Sequence, residues 1–181
     1  MCGPRRILVV FGCTGDTDKE LRAEMGAAAH NKADVVIITN DSPGHEHPAD
    51  VVADIVAGFP EEVRDRYSLW VHTPWQDPSR TPWWFEQWLY QAQRENRRYI
   101  IEDRFFAIRT AIGTAQEGDV VVIVGKGDVD VQEFADGKGG IETGWFDDRM
   151  EAADALGKLG YLLSAGLDRK EIPWQKAKAE A

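Results

Sequence analysis

RILVVFGCTGDTDKELRAEMGAAAHNKADVVIITND, residues 6–41, carries two apolar runs, at 6–12 and 33–41, on either side of a helical pattern. Continuous runs of Val and Ile of this length are typical of parallel strands that are covered on both faces. Between them, residues 17–32 place Leu21, Met25 and the alanines at helical spacing. The segment therefore predicts a strand–helix–strand unit of a parallel sheet.

The same alternation continues along the chain. HPADVVADIVAGF (47–59) repeats the helical spacing, and EDRFFAIRTAIGTAQEGDVVVIVGKGD (102–128) predicts a helix, a turn and a strand at 119–124. We expect that last strand to be central and buried. With right-handed crossovers, this order predicts an α/β fold with a Rossmann-like, doubly wound, mostly parallel sheet. We predict one domain over 1–181, with a frayed tail at 170–181.

Composition excludes several classes of function. The 181 residues are 43% hydrophobic and carry a net charge of −10, with 21 Lys and Arg against 31 Asp and Glu. Such acidity argues against direct binding of nucleic acid or of an anionic membrane. We expect no transmembrane segment and no signal peptide. The two cysteines, Cys2 and Cys13, show no zinc or disulfide pattern and favour a reducing compartment.

An insertion at 64–99 interrupts the alternating pattern. It holds five of the seven tryptophans and three of the eight prolines. One interpretation is a lid that folds back on the parent domain. The other is a docking surface for a protein partner, because Trp and Tyr are enriched at interface hot spots. The candidate interface residues are Trp70, Trp75, Trp83, Trp84 and Trp88.

The loop after the first strand, GCTGDTDKELR (12–22), has the composition of a ligand-binding turn. Its glycines permit a tight turn and a close approach to a ligand, and the next helix offers free N–H groups to an anion. Lys19 and Arg22 add cationic donors. The alternative for Asp16 or Asp18 is a helix N-cap. The loop lacks the Walker pattern of a phosphate-binding P-loop.

Two further strand ends supply polar residues to the same edge of the predicted sheet. TNDSPGHEHP (39–48) follows the second strand, and VGKGDVDVQEF (124–134) follows the third. His45 and His47 lack a third ligand, so we expect no metal site. The predicted ligand-binding residues are Asp16, Asp18, Lys19, Arg22, Asp41, Ser42, Gly125 and Lys126.

Four stretches together resemble the C-terminal domain of Mur ligases, and of the MurE type in particular. That pattern runs roughly VFGCGGDRDKGKRPLMG, TSDNPRxExP, GDxVLIAGKGHExYQ and a late DDR. The resemblance covers most of the chain and breaks at the Trp-rich insertion. The late motif and the insertion are most similar to the plastid MurE-like proteins of plants and algae. The matching stretches are VFGCTGDTDKELRAEMG, TNDSPGHEHP, IIEDRFFAIRTAIGTAQEGDVVVIVGKGDVDVQ and FDDRMEAADAL.

The resemblance implies the chemistry of an ATP-dependent peptide ligase. In this family ATP activates a carboxylate as an acyl phosphate, an amino acid attacks it, and Mg²⁺ and cations stabilise the charge. By position, Asp16, Asp18 and Lys19 would face the nucleotide. Arg22 would hold the carboxylate of the amino acid, and Gly125 with Lys126 would lie beside it. ATP and Mg²⁺ are expected only if the chain pairs with a Mur ligase central domain.

Departures from the pattern weaken the case for activity. Gly44 replaces the Arg of DNPR, Val129 replaces the Glu of KGHE, and Thr17 replaces the Arg of DRD. We find no Walker loop in these 181 residues, and we expect neither a UDP-sugar domain nor a DYAHxP strand within them. We expect no catalytic residue in isolation. Three hypotheses remain: part of a split or longer ligase, a ligand-binding module, and the favoured one, a structural subunit of a larger plastid assembly. Failing a plastid location, the chain would be cytoplasmic.

Overall fold

A computed structural model describes residues 3–64 and 98–157. Along the chain, β1 (Ile7–Phe11), α1 (Lys19–Lys32), β2 (Val35–Ile38), α2 (Pro48–Val56) and the short α3 (Glu61–Arg64) come first. They are followed by β3 (Arg98–Ile100), α4 (Arg104–Thr114), β4 (Val120–Val124), β5 (Val131–Ala135), β6 (Ile141–Trp145) and α5 (Asp148–Gly157).

The main sheet has four parallel strands in the order β3-β2-β1-β4. Two hydrophobic clusters lie on its two faces. Leu8 and Val10 of β1 pack with α4 and α5, whereas Phe11 belongs to the cluster that contains α2. Period-two alternation of side chains along a strand explains this division, since neighbours point to opposite faces. The predicted α/β fold, doubly wound around a mostly parallel sheet, is confirmed.

The position of β4 is a correction to the sequence-based prediction. Within residues 3–64 and 98–157, β4 lies at the edge of the sheet and β1 has neighbours on both sides. Val120 is 44% exposed and Val124 is 40% exposed, so the strand is not buried along its length. A local apolar run does not encode strand order, because that order depends on which strands meet in space. The prediction of a central, buried strand at 119–124 is wrong.

Helix α1 packs Met25 and Ala29 of its predicted apolar face against the cluster that contains α2, but it departs from that prediction at Leu21. Leu21 is 50% exposed, whereas Arg22 and Gly26 are buried. A Cβ atom on Gly26 would lie 2.0 Å from the carbonyl oxygen of Ile55 in α2. The helices therefore touch backbone to backbone at Gly26, and Arg22, one turn earlier on the same face of α1, is buried as well.

The antiparallel β5–β6 hairpin forms a separate two-stranded sheet after β4. It is attached to the loop that follows β2, because Gly44 N donates to Glu133 O at 3.1 Å and forms a bridge with Phe134. Nothing in the described ranges is a helix long and apolar enough to span a membrane. Arg64, at the end of α3, and Arg98 and Tyr99, in β3, fall within the predicted 64–99 insertion, so these positions belong to the main fold. Residues 65–97, which hold the five candidate tryptophans, and the 170–181 tail lie outside the described residues and stay predictions.

Candidate functional site

The loops after β1 and β2 meet at the carboxyl edge of the sheet. Gly15 N donates to Ser42 O at 2.8 Å, and a Cβ on Gly15 would lie 1.7 Å from the carbonyl oxygen of Pro43. Gly12 is equally confined, since its Cβ would lie 2.3 Å from Thr39 O. Both glycines therefore permit the loops after β1 and β2 to approach each other closely, and this contact holds the two loops together at the site.

Arg22 lies at the centre of a charged cluster between these loops. Its Nη1 donates to Glu46 Oε2 at 3.1 Å and to Asp54 Oδ2 at 2.8 Å, and its Nη2 donates to Glu46 Oε1 at 2.7 Å. Lys19 Nζ reaches the same Glu46 at 2.9 Å. Hydrogen bonds from Arg22, then from Lys19, hold the pKa of Glu46 well below its usual range. The fork predicted to grip a ligand carboxylate is thus already paired with a protein carboxylate.

Asp16 connects the same two loops through its backbone N–H and its carboxylate. Its backbone has φ 59°, which is rare for a residue other than glycine, and its N–H donates to Glu46 Oε1 at 2.7 Å. Its Oδ2 accepts from His45 N and contacts His45 Nδ1, each at 3.0 Å. The bond from the His45 backbone, followed by that from its side chain, lowers the pKa of Asp16. Asp16 and Glu46 therefore cap each other's loops.

Gly44 lies against the carboxylate of Asp16. Gly44 has φ +61°, and a Cβ there would lie 2.3 Å from Asp16 Oδ2. A side chain at position 44 would be strained at this φ, whereas the Asp16 carboxylate ends a side chain that is 45% exposed and can move aside. The loop after β2 therefore favours glycine here and presents no cationic side chain where the family pattern has Arg.

A second charged cluster lies under the loop that follows β4. Asp41 is 3% exposed, and its Oδ1 lies 3.9 Å from Nζ of the buried Lys126, which donates to the carbonyl oxygen of Val131. Burial raises the pKa of Asp41, while the charges of Arg104 and Lys126 oppose that rise. Gly125, at φ +111°, brings the backbone to Asp41, since its Cβ would lie 3.2 Å from Asp41 Oδ2.

A pocket of about 160 Å³ opens between these two clusters at the start of α1. Asp18 holds the N-cap position of α1, but its side chain accepts no capping hydrogen bond. Cys13, Leu21 and Met25 make the wall partly apolar. Of the predicted site residues, the pocket lining includes Asp18, Arg22, Asp41 and Gly125.

The other predicted residues lie near the pocket without appearing in its wall. Asp16 and Lys19 join the Arg22–Glu46 cluster, and Lys126 is buried beneath the rim. Ser42 Oγ accepts from Glu133 N at 3.3 Å and so anchors the hairpin. The described part of the chain contains no group of three or more His, Cys, Asp or Glu side chains arranged to hold a metal ion.

Residues 1–127 match the family described as Mur ligase, glutamate ligase domain. The chain belongs to the Mur ligase family. This Mur ligase C-terminal domain is of the MurE type. It is 33% identical over 181 residues to the chloroplastic MurE homolog of UDP-N-acetylmuramoyl-L-alanyl-D-glutamate--2,6-diaminopimelate ligase from Oryza sativa subsp. japonica. That alignment covers 96% of this chain and 20% of the rice protein.

Bacterial and structural relatives agree with this assignment. The ligase of the same name from Trichormus variabilis is 35% identical over 153 residues, covering 84% of this chain and 23% of that protein. A solved structure of UDP-N-acetylmuramoyl-L-alanyl-D-glutamate--2,6-diaminopimelate ligase superposes with a TM-score of 0.60 and 31% identity. It is covered over 24% of its length, and 85% of this chain is covered. The Mur ligase domain thus spans about a quarter or less of these relatives.

Sequence reasoning missed the partners of the predicted residues. Glu46 and Asp54, the two carboxylates that pair with Arg22, are not among the residues that the sequence predicts for the site. Asp54 directly precedes Ile55, whose carbonyl oxygen lies against Gly26. This position brings Asp54 to Arg22, but it can be recognised only when the pairing of α1 with α2 is known.

Proposed function

We propose that this chain is the C-terminal module of a MurE-type protein of plastids and acts as a non-catalytic, accessory subunit of a larger assembly. The observation that carries the proposal is Gly44 at φ +61°, a conformation that favours glycine, which presents no side chain to a ligand on this rim where the family pattern has Arg. Val129, where the family pattern has Glu, is 51% exposed and offers no charge to an ammonium group. Chloroplastic homologues support the plastid location.

A second candidate is supported by a different observation. The glycines at 12, 15 and 125, which keep the loops in contact, remain, and a pocket with Asp41 in its wall is still present. These features suit the amino-acid-binding part of a split or longer ATP-dependent ligase of peptidoglycan-type synthesis. In that case ATP and Mg²⁺ would be held together with a Mur ligase central domain supplied by another part of the protein or by a partner.

The partner surface of the accessory subunit stays a proposal on residues outside those described. Trp70, Trp75, Trp83, Trp84 and Trp88 are its candidate anchors, because several exposed tryptophans on one monomer would form an unusually large apolar patch. Their burial by another protein would make the insertion the segment that anchors this chain in the assembly. Direct contact with nucleic acid is not part of the proposal, since the net charge is −10.

The experiment that separates the two candidates measures size and turnover on the same preparation. Native chromatography of plastid extract should place the chain, whose mass is 20.3 kDa, in a much larger complex. Deletion of residues 70–90 should release it at its monomer size. The purified complex, given ATP, Mg²⁺ and UDP-N-acetylmuramoyl-dipeptide, should show no ADP release that depends on added diaminopimelate or lysine. Amino-acid-dependent ADP release would reject the accessory role and support the ligase.

A further inference from the structure

A buried ion pair joins the starts of two helices behind the pocket. Arg104, the first residue of α4, is 1% exposed, and Asp148 is the first residue of α5. Arg104 Nε donates to Asp148 Oδ1 at 2.7 Å, and Nη2 donates to Oδ2 at 2.6 Å. This two-pronged geometry fixes the plane of the guanidinium as well as its position.

The same guanidinium also binds the end of β4. Arg104 Nη2 donates to the carbonyl oxygen of Val124 at 3.0 Å. Val124 is the last residue of β4, and the next residue, Gly125, lines the pocket. Lys126 follows, buried, with its Nζ bonded to Val131 O. A single side chain thus connects α5 to the turn that forms one wall of the pocket.

The charge of Arg104 also acts on a residue of the pocket wall. Its Nη1 is buried and has no hydrogen-bond partner among the residues that the structure describes. Through space, the charge of Arg104 favours ionisation of Asp41, a carboxylate in the pocket wall, and the charge of Asp148 disfavours it. Arg104 therefore reaches the pocket both through the turn and through its field.

We propose that Arg104 and Asp148 are positioning residues of this pocket. Asp148 fixes the guanidinium of Arg104, and Arg104 holds the turn at 124–126 and the environment of Asp41. The Asp-Asp-Arg motif at 147–149 then acts on the pocket through Asp148, without contacting a ligand bound there. The inference rests on the second candidate function, in which this pocket binds a ligand.

A second ion pair between the same helices provides a matched control. Arg109 of α4 donates to Glu151 at 3.1 Å and also to Asp154, both on α5. Its guanidinium also lies 4.0 Å from the ring centroid of Phe105. Neither β4 nor the pocket wall is among these partners. If Arg104 merely held the helices together, its replacement and that of Arg109 would have the same local consequences.

The test compares Arg104→Lys and Asp148→Asn with Arg109→Lys in the isotopically labelled full chain. Lysine keeps the charge of Arg104 but cannot bond the carboxylate and the Val124 carbonyl in one rigid fork. The readout is exchange of the Val129 amide, whose bond to Lys126 O at 3.1 Å closes the turn. Relative to the Thr39 amide of the sheet, we expect exchange to accelerate roughly 10- to 100-fold. Arg109→Lys should leave this ratio unchanged.

A second readout follows the carboxyl carbon of Asp41 during a pH titration. Asp148→Asn, which keeps the side-chain volume, should lower the pKa of Asp41 because it removes a neighbouring negative charge. Arg109→Lys should not alter it.

Equal Val129 exchange in the Arg104 and Arg109 variants, or a pKa of Asp41 that ignores Asp148→Asn, would overturn the inference. Because no ligand or partner is added, this failure is distinguishable from failure of the proposed function.

Discussion

Replacing Gly26 by alanine tests whether α1 and α2 touch backbone to backbone at this residue. In the middle of an exposed helix, Gly→Ala is stabilising by about 1 kcal/mol, because alanine loses less backbone entropy. Here the new Cβ would lie 2.0 Å from Ile55 O and 3.0 Å from Ile55 C, far inside ordinary contact distance. The obstacle is backbone, so α2 must move as a unit.

The two effects have opposite signs, and their sizes decide the outcome. Overpacking that shifts a backbone costs about 1–3 kcal/mol, and a rigid obstacle belongs at the upper end of that range. Subtracting the propensity gain of about 1 kcal/mol leaves Gly26→Ala destabilising by about 2 kcal/mol. For a chain of this size, the corresponding fall in Tm is about 4–8 °C.

Thermal and urea unfolding of the full chain measure the effect. Gly157→Ala in α5 is the matched control, since a Cβ there meets nothing within 4 Å, and its Tm should be unchanged or slightly higher. Gly58→Ala approaches the same contact from the other side, 1.8 Å from Ala23 O, and should destabilise in the same direction. A Gly26→Ala variant as stable as the Gly157→Ala variant would refute the close helix contact.

Two further predictions concern titratable groups at the rim. The pKa of Glu46 is lower in the folded chain than in the unfolded one, so its contribution to stability is present above the unfolded pKa and is lost as the pH falls through the folded pKa. Glu46→Gln should therefore reduce the loss of stability at acid pH, measured by urea unfolding. An unchanged loss would contradict the Arg22–Glu46 pairing. Burial raises the pKa of Cys13 to about 11, so Cys13 should react with iodoacetamide at pH 8 far more slowly than free cysteine does, and only unfolding in urea should equalise the rates.

The strand–helix alternation could be predicted from local sequence, but the strand order could not. β1 and β2 are found where their Val and Ile runs predict them. β4 is equally apolar and yet lies at an edge, because an apolar run reports local burial tendency without naming the neighbouring strand. β3, only three residues long, follows directly on the aromatic segment and has no pattern of its own.

The candidate site shows the same limit at the level of single residues. Arg22 lines the pocket, but its partners Glu46 and Asp54 lie 24 and 32 residues away along the chain. Whether an arginine fork faces a ligand or a protein carboxylate depends on how two loops and two helices meet, and no local spacing reports that. Chemical type was readable from the sequence, whereas the partner was not.

Gly44 and Asp16 show how one lost side chain changes the meaning of a retained one. With glycine at φ +61°, the Asp16 carboxylate lies close enough to accept the His45 N–H at 3.0 Å. A side chain at 44 would be strained at this φ and would displace the Asp16 carboxylate from its present position, and Glu46 also binds the Asp16 N–H at 2.7 Å. Because these contacts support one another, the retained Asp16 serves the contact between the loops, and its presence alone is no evidence that a nucleotide still binds beside it.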